Sequence, residues 1–524
     1  MRAILRLIRA IFSAPFAAGV LVFLGLALIG VYAVWYTSAG MFPRFPQVTN
    51  YHADLGDAFI NGQLSLLAQP DPRLAQLQNP YDNDQRKDIP YLWDISYFKG
   101  KYLLYWGPTP AVIFAAVQAL TGIRPLNQFV SLFGYIGSAC VLAGLLWLAW
   151  RRFYPRSPGI SVVLFFLAGC VNLPYLFLLG RPQVYETAII TGQCFLFAGL
   201  LAWGLYFGAS KRIYLALAGL AWGLAFAARM NLAFSVGVYL CFALYYLWRS
   251  QKKLSLVWKP VLWLLAPLAA CVLAMGFYNF ARFQNPLETG WAYQFSVPTS
   301  QKDIYALSNV PSNLAVHFLT PLSVSLEFPF VKSVLLDPAR IYTVAALPSN
   351  KLFDEVFVSI PAGLPFFWLL LLWVPALGSA WRFVGRKWNG FSPRIEFLLM
   401  VAFAGGLQFA FLMVFFYGAV RYFADYSFAL LLLAAFGAWE LDERITWPIL
   451  RVGLWLVTAV LIFATVTIGF FGAFDIPPQV FSGSNPLLYR TLADNFTQAF
   501  SALRHDPGLA GRIIRYWVYW IGFR

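Results

Sequence analysis

From residue 17 to residue 474 the chain alternates long apolar runs with short polar turns. The runs cover 17–36, 129–150, 160–179, 185–207, 214–228, 232–248, 260–280, 360–380, 397–417, 423–439 and 449–474. Most approach the ~20 residues that a helix needs to cross a bilayer. The pattern predicts an all-α polytopic membrane protein with about eleven transmembrane helices. Two long polar stretches interrupt it. The expected organisation is a first span (1–37), a first loop (38–127), spans two to seven (128–280), a second loop (281–358), spans eight to eleven (359–474) and a tail (475–524).

The first loop carries its own elements. Asp54 and Asp57, three residues apart, fall on one face of a short helix, with Thr49 or Asn50 available to cap its start and Asn61-Gly62 to end it. The segments on either side of Lys99-Gly100-Lys101 pattern as a hairpin turned at Gly100. The apolar run 108–121 is short. Taken as an interfacial helix rather than a span, it leaves Arg151, Arg152 and Arg156 on the cytoplasmic side. The densely basic turns then fall on one side: Lys211-Arg212, Arg249 with Lys252 and Lys253, and Arg382 with Arg386 and Lys387. The N-terminus, with Arg2, Arg6 and Arg9, is expected in the cytoplasm before an uncleaved first span, and both long loops and the tail outside. The ending RIIRYWVYWIGFR suits an interface helix. No direct or inverted repeat of the transporter kind is apparent.

Composition narrows the class. Hydrophobic residues make up 60% of the chain and charged residues 11%. Proportions so far from the globular norm exclude a soluble domain. The net charge of +16 fits cytoplasmic turns, and no basic domain with interleaved aromatics points to nucleic acid. The five cysteines all lie in apolar runs and are expected to be buried packing residues. Three scattered histidines argue against a histidine metal site, while the loop aspartates leave room for a divalent cation.

On this threading, polar residues gather at the outer ends of the spans. The first loop supplies Asp54, Asp57, Asp94, Lys99 and Lys101; later span ends supply Arg181, Tyr185, Glu186, Arg229, Asn231, Tyr278, Asn279, Arg282, Glu288, Arg421, Tyr422 and Asp425. Charges at a membrane boundary are costly unless they pair or act. Arginine, lysine and tyrosine can hold a phosphate, and a carboxylate can deprotonate a hydroxyl. Each residue also has a plainer use: Asp54 or Asp57 as a solvated helix face, Arg421 and Asp425 as an i, i+4 ion pair, and Arg181, Arg229 and Arg282 as lipid anchors.

The segments DAFINGQL, WDISYFKGKYLLYWGPTPA, FYNFARFQNPLETGWAYQ and RYFADYSFALLLLA resemble a bacterial branch of the GT-C superfamily of membrane glycosyltransferases, over most of the chain through about Ala435. Protein O-mannosyltransferases and lipid A aminoarabinose transferases are members. The resemblance implies a sugar donor on a polyprenyl phosphate, an unspecified extracytoplasmic acceptor, a bacterial plasma-membrane location, no nucleotide and an inverting transfer with an Asp base. It places Asp57 as the base, then Asp54, with Asp94 as a second acid. Arg421 and Tyr422, with Arg282, Arg229 and Lys101, would hold the donor phosphate, and Tyr105, Glu186, Asn279, Glu288 and Asp425 would contact substrate. The O-mannosyltransferases carry an Asp-Glu pair just behind the first span, where residues 47–50 here hold no acid. Two other classes remain open: a transporter or flippase of a lipid-linked saccharide, which would place charge at the bilayer midplane, and a non-enzymatic scaffold, which would tolerate loss of the loop carboxylates.

Overall fold

The computed structural model describes residues 15–42, 44–250, 254–295, 304–332, 334–335, 356–375, 392–416, 418–476 and 480–505. In chain order the helices are α1 (Pro15–Thr37), α2 (Tyr51–Ile60), α3 (Thr109–Thr121), α4 (Asn127–Phe153), α5 (Ile160–Cys170), α6 (Leu173–Gly180), α7 (Val184–Ala209) and α8 (Arg212–Ala228). There follow α9 (Ala233–Ser250), α10 (Leu254–Phe283), α11 (Val310–Leu319), α12 (Pro393–Val414), α13 (Ala424–Arg444), α14 (Pro448–Gly472) and α15 (Pro486–His505), with short helical turns between them. This is a multi-pass all-α membrane protein. Among the described residues, eight helices are long and apolar enough to cross a bilayer, and α5 with α6 pass the same test only as a pair, bent by 46° at the break between them. The other two expected spans are shorter: α8, and a segment at Ile360–Gly363 and Pro365–Leu372 whose continuation at 376–391 lies outside the described residues. The same holds for the basic N-terminus and the aromatic ending at 512–524.

The break in the expected span 160–179 has a local cause. Pro174 has no N–H to continue a helix and its ring crowds the preceding turn. Asn172 closes both sides of the gap: its Nδ2 donates to the Ala168 and Gly169 carbonyls, and its Oδ1 accepts from Tyr175 N. Elsewhere α7 packs between α4 and α8, α8 lies along α10, and α13 packs on α12. Helices α7 and α13 are the most deeply buried spans. The cysteines depart from expectation: Cys170 and Cys194 are buried, but Cys140 and Cys241 are exposed on the bundle surface and Cys271 is intermediate.

The first loop folds on its own small core, in which Leu55, Ala58, Leu66, Leu74, Ile95, Tyr97, Tyr102 and Leu104 meet Val184 and Phe295. Its helix α2 packs on α3. Strands β1 (Ser96–Phe98) and β2 (Lys101–Leu103) pair antiparallel around Lys99-Gly100, both at positive φ. That combination is what a tight primed hairpin turn demands. Helix α2 ends at Asn61 with Gly62 at φ 70°, as the residue order predicts. Its start differs: the Asn50 side chain makes no cap, and its Oδ1 instead accepts from Asn127 N at 3.1 Å, tying the loop to α4. Helix α3, 13 residues, is too short to span.

Helix pairs close by using small residues. A Cβ on Gly219 of α8 would lie 2.0 Å from the Leu264 carbonyl oxygen of α10. Gly219→Ala is therefore expected to destabilise the bundle by about 1–3 kcal/mol. Thermal unfolding in detergent checks this, with Gly237→Ala as control, since a Cβ there meets nothing within 4 Å.

Candidate active site

Eight of the expected residues meet where α7 and α13 begin and α8 ends: Arg181, Tyr185, Glu186, Arg229, Asn231, Arg421, Tyr422 and Asp425. Arg229, 4% exposed, follows the last turn of α8 and reaches across to α13, where its Nη2 donates to Asp425 Oδ2 at 2.6 Å. Asn231 Nδ2 and Gln193 Nε2 also donate to Asp425, at 3.3 and 3.2 Å. Asp425 is thus bound from α7 and α8, and its partner is Arg229 rather than Arg421 one turn before it. Arg421 instead turns toward α7, 3.8 Å from Glu186 Oε1, with Arg181 3.9 Å from the same oxygen. The guanidinium groups lie over ring faces: Arg229 over Trp106 and Tyr422, Arg421 over Tyr185 and Tyr422. Stacking of this kind shields a cation without neutralising it.

Between these groups lies a cavity of about 330 Å³. Tyr105, Trp106, Gly107, Tyr185, Arg229, Asn231, Thr289, Trp291, Tyr305 and Tyr422 line it, with Met230, Phe411, Leu412 and Phe415. The wall comes from the first loop, the ends of four spans (α7, α8, α12 and α13) and the second loop. Gly107 is required by close approach, since a Cβ there would sit 2.0 Å from the Ala227 carbonyl oxygen. Arg229 Nε and Nη1 are buried with no hydrogen-bond acceptor. Buried N–H groups are nearly always paired, so these two, beside a cavity, suit an anion.

A carboxylate is connected to the same wall. Tyr105 Oη donates to Tyr185 Oη at 2.9 Å, and Tyr185 Oη donates to Asp94 Oδ1 at 2.9 Å. Asp94 is held in the left-handed region, φ 57°, which aspartate tolerates better than most residues. Burial raises the Tyr105 phenol well above its ordinary range, so that group stays protonated.

Asp54 and Asp57 lie on one face of α2, as the spacing predicts, and both are held by Arg124, which lies just past α3. Arg124 Nε donates to Asp57 Oδ2 at 2.6 Å and its Nη2 to Asp54 Oδ1 at 2.7 Å. Asp57 Oδ1 keeps no partner. Burial raises the Asp54 carboxyl, against the pull of Arg124. Tyr51 links the two acidic places: burial raises its phenol to about 12, assisted by the Asp94 and Asp54 carboxylates. Arg282 and Asn279 are not brought to the cavity wall. Arg282 donates to the Leu104 carbonyl at 2.6 Å and to Asn279 Oδ1 at 2.8 Å, bracing the first loop on α10. Glu288 accepts from Gly290 N, and Lys101 is exposed on the hairpin. Among the described residues no group of three or more His, Cys, Asp or Glu could hold a metal ion.

Arg124 and Trp291 were not singled out in the sequence. Trp291 had a signal, an aromatic cluster (WAY) within a polar loop.

No family model matches the sequence, and no curated protein matches it. The chain is similar in structure to an archaeal oligosaccharyltransferase and to ArnT. The Archaeoglobus fulgidus oligosaccharyltransferase in apo form matches with TM-score 0.43 and 13% identity, covering 94% of this chain and 59% of that one. Its complex with Zn and sulfate gives TM-score 0.46 and 13% identity, covering 94% and 56%. ArnT from Cupriavidus metallidurans, bound to undecaprenyl phosphate, gives TM-score 0.40 and 10% identity, covering 92% and 79%. The chain thus spans less than two thirds of the length of the oligosaccharyltransferase. Similarity of this degree assigns no residue a role.

Two outcomes are expected from the geometry. Arg229→Met leaves Asp425 buried without its cation and should cost about 3–5 kcal/mol, most of it regained in Arg229→Met/Asp425→Leu; unfolding in detergent reads both. His52, fully buried on α2, donates from Nε2 to the Val184 carbonyl. Burial pushes its imidazole from 6.5 down to about 4, only partly opposed by that bond. The unfolded chain therefore binds the extra proton first, and the stability present above pH 6.5 falls as pH drops toward 4, by about 3 kcal/mol. In His52→Asn that part of the pH dependence should vanish.

Proposed function

We propose that the protein is a membrane glycosyltransferase that moves a sugar from a polyprenyl-phosphate donor to an extracytoplasmic acceptor. The observation that carries this is Arg229: a buried guanidinium with two unpartnered nitrogens beside an aromatic cavity that a hydrogen-bonded tyrosine pair links to Asp94. In the transfer, an acceptor hydroxyl oxygen attacks the anomeric carbon as the bond from that carbon to the phosphate oxygen breaks. The phosphate leaves with the electron pair and is stabilised by Arg229, assisted by Arg421 and Tyr422. Cationic stabilisation matters most at the leaving group, where charge develops. The acceptor proton passes to the Tyr185 hydroxyl as Tyr185 gives its own proton to Asp94, within the one-bridge reach that general base catalysis allows.

Among the three candidate acids, Asp94 is bonded to a side chain of the cavity wall, whereas Asp54 and Asp57 hold the loop helix to Arg124. We therefore assign Asp94 as the base and Asp57 and Asp54 as the acids that position the loop. The expected location is the bacterial plasma membrane with the cavity facing outward. The test supplies the purified protein in liposomes with a panel of polyprenyl-phosphate sugars and a crude membrane extract as acceptor, and follows release of free polyprenyl phosphate. Wild type should release it. Asp94→Asn and Tyr185→Phe should lower kcat by about 10²-fold or more while donor binding is kept, and Asp57→Asn should lose much less. Loss confined to Asp57→Asn would move the base to α2. No release with any donor would overturn the enzyme, and flipping of the same lipids would be measured next.

A further inference from the structure

Resting on the donor reading above, the cavity wall also indicates which sugar the donor carries. Among the described residues, Arg229 is the one charged side chain that lines it. The remaining polar groups are neutral, and three of them are buried without a partner: Trp106 Nε1, Trp291 Nε1 and Asn231 Oδ1. The orientation of Asn231 is fixed, because the Asp425 carboxylate can only accept and so draws the amide nitrogen, leaving the oxygen free. The wall therefore offers two neutral N–H donors and one neutral acceptor, set among rings whose apolar faces can cover the C–H surface of a pyranose.

We infer that the cavity holds a single uncharged sugar ring carried on a lipid monophosphate, with Trp291 Nε1–H donating to one hydroxyl, Asn231 Oδ1 accepting from another, and Arg229 on the phosphate. Three observations count against the alternatives. Among the described residues, a sugar bearing a protonated amine would meet no carboxylate on the wall, since Asp425 and Glu186 are turned to arginines and Asp94 accepts from Tyr185 behind it. The ring faces of Trp106 and Tyr422, which would attract an ammonium, are already occupied by Arg229. The cavity volume of about 330 Å³ lies at the small end of the range for ligand pockets, a size that suits one sugar ring better than an oligosaccharide.

The test measures binding to the full chain in nanodiscs by quenching of tryptophan fluorescence. The probes are undecaprenyl phosphate and the same lipid carrying glucose, 4-amino-4-deoxyarabinose or a disaccharide. The glucose conjugate should bind at least about tenfold tighter than the bare lipid, a difference equal to about 1.4 kcal/mol. The amino-sugar and disaccharide conjugates should bind no tighter than the bare lipid. Trp291→Phe keeps the ring and removes the N–H, so it should lose most of the glucose gain with bare-lipid affinity unchanged. Thr289→Asp, which places a carboxylate on the wall, should turn preference toward the amino sugar. Equal or tighter binding of the amino sugar or disaccharide by wild type overturns the inference, as does a folded Trp291→Phe that keeps the full gain. If neither the bare lipid nor any conjugate binds, the donor reading itself fails; if the bare lipid binds without discrimination among sugars, only the present inference does.

Discussion

Two opposite charges taken out of water at the end of a membrane bundle govern this structure. Arg229 and Asp425 stand on different helices, 196 residues apart in sequence, and meet at 2.6 Å with almost no exposure. Removing either partner leaves the other charge buried and uncompensated, at a cost of about 3–5 kcal/mol. The pair therefore fixes how α8 approaches α13, and Gln193 brings α7 to the same carboxylate. Once that junction is set, the rest of the wall has little freedom: Arg229 needs ring faces, which Trp106 and Tyr422 provide, and Trp106 arrives only because Gly107 lets the first loop touch the end of α8.

The site has an economy that follows from this. One side of the Arg229 guanidinium is engaged in holding helices together, and the other is left without an acceptor. A cation used in both ways is rigid before a ligand arrives, and preorganised charge of that kind stabilises a transition state without being rearranged during the reaction. The acids of α2 form a contrasting arrangement. Arg124 answers both of them at a half-exposed surface, where such a pair contributes little to stability.

Much of this architecture was legible in the order of residues. Hydropathy located the spans, the hairpin was visible at Lys99-Gly100, and Gly62 marked the end of α2, because these features depend on neighbours within a few positions. The break at Asn172 was also local, yet it was hidden by the apolar run around it; Pro174 was the available signal. The ionic partners were not legible. An i, i+4 spacing suggested Arg421 with Asp425, but the fold pairs each with a group from another helix, and spacing along one helix carries no information about that choice. For the same reason Arg282 looked like a phosphate ligand when its hydrogen bonds brace a loop, and Trp291 was passed over when its second-loop position brings it to the cavity wall.

The wall of the cavity is contributed by residues from Tyr105 to Tyr422. A chain inserted from its N-terminus delivers the first loop early and α13 late, with most of the bundle still to come in between. During that interval the loop's own small core can close, but Trp106 and Asp94 have no Arg229 or Tyr185 to meet. Such a long separation in sequence makes completion of the site a late event in biogenesis. A truncated or stalled chain would carry the loop's carboxylates without a cavity to serve, so the site forms only once α13 has joined the bundle.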